Sequence, residues 1–141
     1  MNSVFWIMTR RLLLFALFAT GLLSGVASAQ SRVFELRIYT ANEGKLEALK
    51  ARFRDHTVAL FKKHHLDVIA YWTPQADDPK SKDTLIYIVA HPSREVAAQN
   101  WKAFDGDPEW IKVKAESEKD GPPVKKYDST FMDALPFSAM K

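Results

Sequence analysis

"VFELRIYTANEGKLEAL", Val33 to Leu49, holds the two periodicities on which the fold turns. Up to Thr40 the side chains alternate: Phe34, Leu36 and Ile38 point one way, Glu35, Arg37 and Tyr39 the other. A period of two makes this a strand with two chemically different faces. Asn42-Glu43-Gly44 is a turn, and the period then changes. Leu46, Leu49, Phe53, Leu60 and Phe61, with Thr57 between them, line one face of a helix predicted over Lys45–Lys63. Lys45, Glu47, Arg52 and Lys62 fall on the opposite face. Lys62, Lys63, His64 and His65 bring positive charge to its C-terminal end, where the helix dipole favours it.

Downstream, "DVIAYWT" (Asp67–Thr73) reads as a second strand stopped by Pro74, and "DTLIYIVAH" (Asp83–His91) as a third, rich in β-branched and aromatic residues. The polar loop between them is short enough for an antiparallel hairpin. Pro92 ends the third strand and Ser93 is placed to cap a helix over Arg94–Phe104, with Val96, Ala97, Asn100, Trp101 and Phe104 inward. Asp105-Gly106-Asp107 breaks that helix. Asp107 caps a new one whose first residue is Pro108, which lacks an N–H where none is needed. One straight helix would set Trp101 and Trp110 roughly 180° apart; the break lets both rings turn toward apolar surface. Gly121-Pro122-Pro123 is a hard stop, and "VKKYDSTFMDAL" (Val124–Leu135) is a last, less regular strand. The order β-α-β-β-α(α)-β is that of an α+β, ferredoxin-like domain, βαββαβ with a broken second helix: an antiparallel sheet with both helices on one face.

Residues 1–29 are read as a signal peptide and residues 30–141 as the single domain. Thr9-Arg10-Arg11 is a basic start, Leu12 to Leu23 is nearly all apolar, and Ala27-Ser28-Ala29 is a small-x-small cleavage pattern. Cleavage is expected after Ala29, which places the protein in the bacterial periplasm or outside the cell. The apolar run is shorter than the roughly 20 residues of a membrane span, so no stable span is expected after cleavage; the alternative is an uncleaved N-terminal anchor. Met8 is a possible start, and the arginine pair weakly resembles a twin-arginine export signal. Without Arg10 and Arg11 the 20 Lys+Arg nearly balance the 17 Asp+Glu, so the charge gives no reason to expect nucleic acid as a partner. With no Cys, stability must come from a packed core, and cysteine catalysis is excluded.

"FELRIYTANEGKLEAL", "VIAYWTPQ", "DTLIYIVAHPSREVAAQNW" and "FDGDPEWIK", in that order, resemble the NIPSNAP family over nearly all of residues 30–141. The resemblance implies a place in the dimeric α+β barrel group, in which two ferredoxin-like subunits pack sheet against sheet. The partner it implies is therefore a second copy. Enzymes of that wider group include small monooxygenases, some haem-degrading, whereas the family itself has no agreed reaction.

The residues opposite Phe34, Leu36 and Ile38 are the most informative for function. Glu35, Arg37 and Tyr39 are expected on the sheet face not covered by helices. Closed over by a second sheet they would line a cavity, where a buried Glu and Arg must pair with each other or meet a ligand. Arg37 suits a carboxylate or phosphate. Tyr71 and Trp72 point to opposite faces, one to the helix-side core and one to the cavity, with Tyr87 near. These aromatics serve as packing or as walls for an apolar, partly aromatic ligand.

His64-His65 lack metal spacing and read as a solvated helix end, so no metal is expected. His91 reads as structural or exposed. His56 lies close to the inward stripe of the first helix. It is a core histidine by default and otherwise the best general acid/base candidate. No phosphate loop, nucleophile elbow or haem-attachment motif is present, and no cofactor is called for. Two readings remain: a homodimeric binding protein or small enzyme for a partly apolar or acidic molecule, with cofactor-independent monooxygenase-like chemistry as the nearest analogy, or a non-catalytic homodimeric interaction module.

Overall fold

A computed structural model describes residues 32–140. The expected signal peptide and its cleavage point after Ala29 lie outside the described residues. The chain runs β1 (Val33–Ala41), α1 (Leu46–Arg52), a π-helical turn (Phe53–Thr57), α2 (Val58–Lys63), β2 (Asp67–Trp72), a 3-10 turn (Pro79–Lys82), β3 (Thr84–His91), α3 (Arg94–Asp105), α4 (Pro108–Ser117) and β4 (Val124–Asp133). The strands form one sheet in the order β2-β3-β1-β4, and every pairing is antiparallel. This is the ferredoxin-like βαββαβ arrangement with a broken second helix. Among the described residues no helix is long and apolar enough to cross a membrane.

The first helix differs from a plain α-helix. Its inward residues Leu49, Phe53 and Thr57 are spaced by four. At 3.6 residues per turn such a row drifts about 40° per step. The wider π turn at Phe53–Thr57 brings it back over the sheet. Thr57 Oγ1 donates to the Arg52 carbonyl at 3.2 Å, a bond spanning that turn. With Thr57 held inward, its neighbour His56 is exposed. α2 ends in a Schellman-type cap: Leu66 N–H reaches the Phe61 carbonyl and His65 N–H the Lys62 carbonyl. His65 takes the left-handed position there, at φ 56°.

Period two located β1 correctly, but the side assigned to each row is reversed. Glu35, Arg37 and Tyr39 lie beneath the helices. Tyr39 meets Phe53 edge-on, and Arg37 and Glu35 both touch Trp101 of α3. The same row continues across the sheet as Tyr87, Val89 and Tyr71, which pack with Leu49, Phe53, Phe61 and Phe104 in the core. The other row, Leu36 and Ile38 opposite Ile88 and Ile86, forms a half-buried aliphatic patch on the open face. The large rings that fill the space below the helices sit on the row of Glu35 and Arg37. The charged pair is tolerated there because the Glu35 carboxylate is ringed by donors and is paired with Arg37.

Candidate functional site

Glu35 is the centre of a buried polar network on the helix side of the sheet, with 1 % of its surface exposed. Its Oε1 accepts from Arg37 Nε at 2.9 Å and Ser129 Oγ at 2.6 Å. Its Oε2 accepts from Trp101 Nε1 at 2.7 Å and lies 3.0 Å from His91 Nε2. The register explains the convergence, since Arg37 stands opposite Ser129 on β4 while Glu35 lies two residues along the same face. Burial by itself would raise the Glu35 pKa. The bonds from His91, Ser129 and Trp101 and the charge of Arg37 outweigh it and lower the pKa from 4.5 to about 2.

Arg37 is packed against two rings. Its guanidinium lies 3.9 Å from the Trp101 ring centre and 4.8 Å from that of Tyr127, a cation–π contact with each ring. Its Nη1 reaches the Tyr39 hydroxyl at 3.4 Å. Burial pushes the Tyr39 phenol above its ordinary 10 although Arg37 pulls the other way, so the group is neutral at pH 7. Burial raises Tyr87 further; its hydroxyl is enclosed beside Tyr39 and Arg37 without a hydrogen-bond partner of good geometry.

Arg37 and Tyr39 form part of the floor of a cleft of about 490 Å³ between the sheet, α1 and the α3–α4 pair. Trp101, Phe104, Trp110 and Tyr127 supply its aromatic walls. The walls brace one another: the Phe104 and Trp110 ring centres are 4.5 Å apart, and Trp101 meets both Phe61 and Phe104 edge-on. Arg52 and Lys114 also line it, with Asp105 and Glu118. Periodicity placed Arg52 outward; it is instead buried where α4 closes over the flank of α1. Its Nη1 donates to Ser117 Oγ at 3.1 Å and faces Glu118 at 3.5 Å.

The break in the second helix has a second anchor. Asp107 Oδ1 accepts from the Glu109 N–H at 2.8 Å, the expected cap. Its Oδ2 meets His64 Nε2 at 2.6 Å and Lys63 Nζ at 2.7 Å. The bonds from Lys63 and His64 hold its carboxyl well below the usual carboxylate range. His64 is therefore not a solvated helix end but one half of a tie between α2 and α4.

Of the residues singled out in the sequence, Glu35 and Arg37 come together as an ion pair, and Arg37 and Tyr39 also line the cleft. Tyr71 and Tyr87 pack in or against the core beside Phe53, with the Tyr71 phenol pushed up to about 12 by burial. Trp72 stands apart at the edge of the open face, 45 % exposed. His56 is exposed on the π turn and lines a separate groove against α4, away from Glu35 and Arg37. His91, read as structural or exposed, is fully buried against Glu35. Ser129 and Tyr127 were not singled out; their alternation on an irregular last strand was the available signal.

An antiparallel four-stranded sheet with two crossover helices on one face defines a ferredoxin-like domain of the α+β class, here with an aromatic, arginine-floored cleft between the layers. A family model described as NIPSNAP matches residues 34–139, and the chain belongs to the NIPSNAP family. Solved relatives agree in fold. A NIPSNAP family protein of unknown function from Agrobacterium tumefaciens is 18% identical at a TM-score of 0.68, the match covering 80% of this chain and 96% of that one. An uncharacterized NIPSNAP-like domain protein from Burkholderia xenovorans is 16% identical at 0.67, covering 77% and 90%. A putative antibiotic biosynthesis monooxygenase from Caulobacter crescentus is 15% identical at 0.51, covering 75% and 92%. No curated protein matches the chain in sequence.

Proposed function

We propose that this chain is an exported, homodimeric NIPSNAP protein that holds a small, partly apolar or acidic molecule in the cleft beneath α3 and α4. The observation that carries the reading is the juxtaposition of Arg37 with Trp101, Trp110 and Tyr127 around one cavity. Its volume of about 490 Å³ falls in the roughly 300–1,000 Å³ of small-molecule sites. The tryptophans turn into the cleft rather than outward, which favours ligand binding over an interaction module built on the broken helix. In its enzymatic form the reading is a cofactor-independent, monooxygenase-like reaction on the bound molecule, an analogy from fold alone. The aliphatic patch of Leu36, Ile38, Ile86 and Ile88 supports pairing of two sheets face to face.

Native mass spectrometry of protein purified from the periplasm tests the binding reading. A co-purifying small molecule lost in a Trp110→Ala variant supports it. Its absence, together with an unchanged Trp signal against extracts of the source cell, overturns it. Sedimentation tests the pairing: a dimer mass for the wild type and a monomer mass for Ile38→Asp are expected. N-terminal sequencing of exported protein should begin at Gln30.

A further inference from the structure

The polar groups of the cleft narrow what it binds. Arg37 directs Nε at Glu35 and Nη1 at the Tyr39 hydroxyl. The Arg37 side chain keeps 12 % of its surface exposed and lines the cleft, so the guanidinium is reached in part from there. A guanidinium packed against two rings and tied through Nε to Glu35 has little freedom to turn, and its remaining N–H donors match a planar acceptor.

Charge then separates a monoanion from a dianion. Arg37, Arg52 and Lys114 line the cleft; Glu35 neutralises Arg37 from behind, Glu118 faces Arg52, and Asp105 stands on the wall. Cations and carboxylates balance. A phosphate would bring two negative charges into a site with no surplus positive charge to offset them, and desolvating it there is costly. A carboxylate brings one. The rest of the lining is aromatic, Trp101, Phe104, Trp110 and Tyr127, and suits a flat apolar body.

We propose that the cleft is a site for a planar aromatic monocarboxylate, its carboxylate on Arg37 and its ring system among Trp110, Tyr127 and Phe104. This rests on the reading of the cleft as a small-molecule site and names the ligand class.

The test is calorimetric titration of the purified protein with three molecules of one shape, 1-naphthoate, 1-naphthalenemethanol and 1-naphthyl phosphate. The indole N–H signals of Trp72, Trp101 and Trp110 are followed by NMR in the same titrations. Naphthoate is expected to bind about 10- to 100-fold tighter than the alcohol, the worth of a charge-assisted hydrogen bond. It should also shift Trp101 and Trp110 and leave Trp72 unmoved. Arg37→Lys keeps a charge beside Glu35 but loses the planar fork, and should bring naphthoate down to the affinity of the alcohol. Its fold is checked by thermal melting, and if it fails to fold the three-ligand comparison on the wild type decides alone.

If the alcohol binds as tightly as the acid, or the phosphate binds more tightly, the monocarboxylate assignment falls while the cleft stands as a binding site. If naphthoate shifts Trp72 instead of Trp101 and Trp110, the location is wrong. If none of the three binds, the assignment falls, and the co-purification experiment decides the broader reading separately.

Discussion

Trp101 serves both members of the buried ion pair at once: its indole N–H donates to Glu35 at 2.7 Å, and its ring lies 3.9 Å from the Arg37 guanidinium. Trp101→Phe keeps a ring under Arg37 and leaves one Glu35 oxygen short of a donor. It should cost about 1–3 kcal/mol. Trp101→Ala removes the stack as well and should cost about 3–5 kcal/mol. Urea melts of the two variants check the difference; equal costs would mean that the indole bond contributes nothing.

The Glu35 network predicts acid sensitivity. The folded pKa is depressed, from 4.5 to about 2. Stability from this group is therefore present above the unfolded value and lost as pH falls through that window. Between pH 5 and pH 2 the wild type should lose stability more steeply than Glu35→Gln. At neutral pH Glu35→Gln leaves Arg37 buried without its counter-charge and should cost about 3–5 kcal/mol. Denaturation midpoints of both proteins across the pH range decide it; parallel curves would remove Glu35 from the account.

Asp107 ties the start of α4 to the end of α2 through His64 and Lys63. Asp107→Ala loses the cap and both ties, and Asp107→Ser keeps the cap alone. The alanine variant should melt several degrees below wild type and the serine variant between the two. Because Trp110 rides on α4 against Phe104, its fluorescence should redden in the alanine variant. An unshifted spectrum would show that the ties do not position the cleft wall.

His65 occupies a left-handed backbone position at φ 56°, which costs a side-chain-bearing residue roughly 1–2 kcal/mol. Its side chain is exposed. His65→Gly should stabilise the protein by about 0.5–1 kcal/mol, the relief of strain less the added chain entropy of glycine. A lower thermal midpoint for the variant would mean that the histidine ring contributes a contact worth more than the strain.

Much of the fold was legible because its signals are local. Ser93 and Asp107 cap the helices they precede, their side-chain oxygens accepting from Val96 N–H and Glu109 N–H, and the breaks at Gly106 and Gly121-Pro122 follow from backbone chemistry. The π turn was invisible because a row spaced by four still passes for one face of an α-helix over a few turns. His91 and Ser129 escaped notice as site residues because each lies more than 50 residues from Glu35 along the chain.

What the sequence determined by itself was the order of strands and helices, the caps, and the fact that Glu35, Arg37 and Tyr39 share one face of β1. Which face the helices cover was decided only by tertiary structure. Alternation distinguishes two sides of a strand but not which side the crossovers pack against. The apolar row of Leu36 and Ile38 satisfies a core pattern equally well on the open side. The helices cover the charged row because its rings, Tyr39, Tyr71 and Tyr87, pack with theirs, and Trp101, Ser129 and His91 arrive from three other elements to satisfy Glu35. A buried carboxylate becomes tolerable only when donors distant in sequence meet it in space.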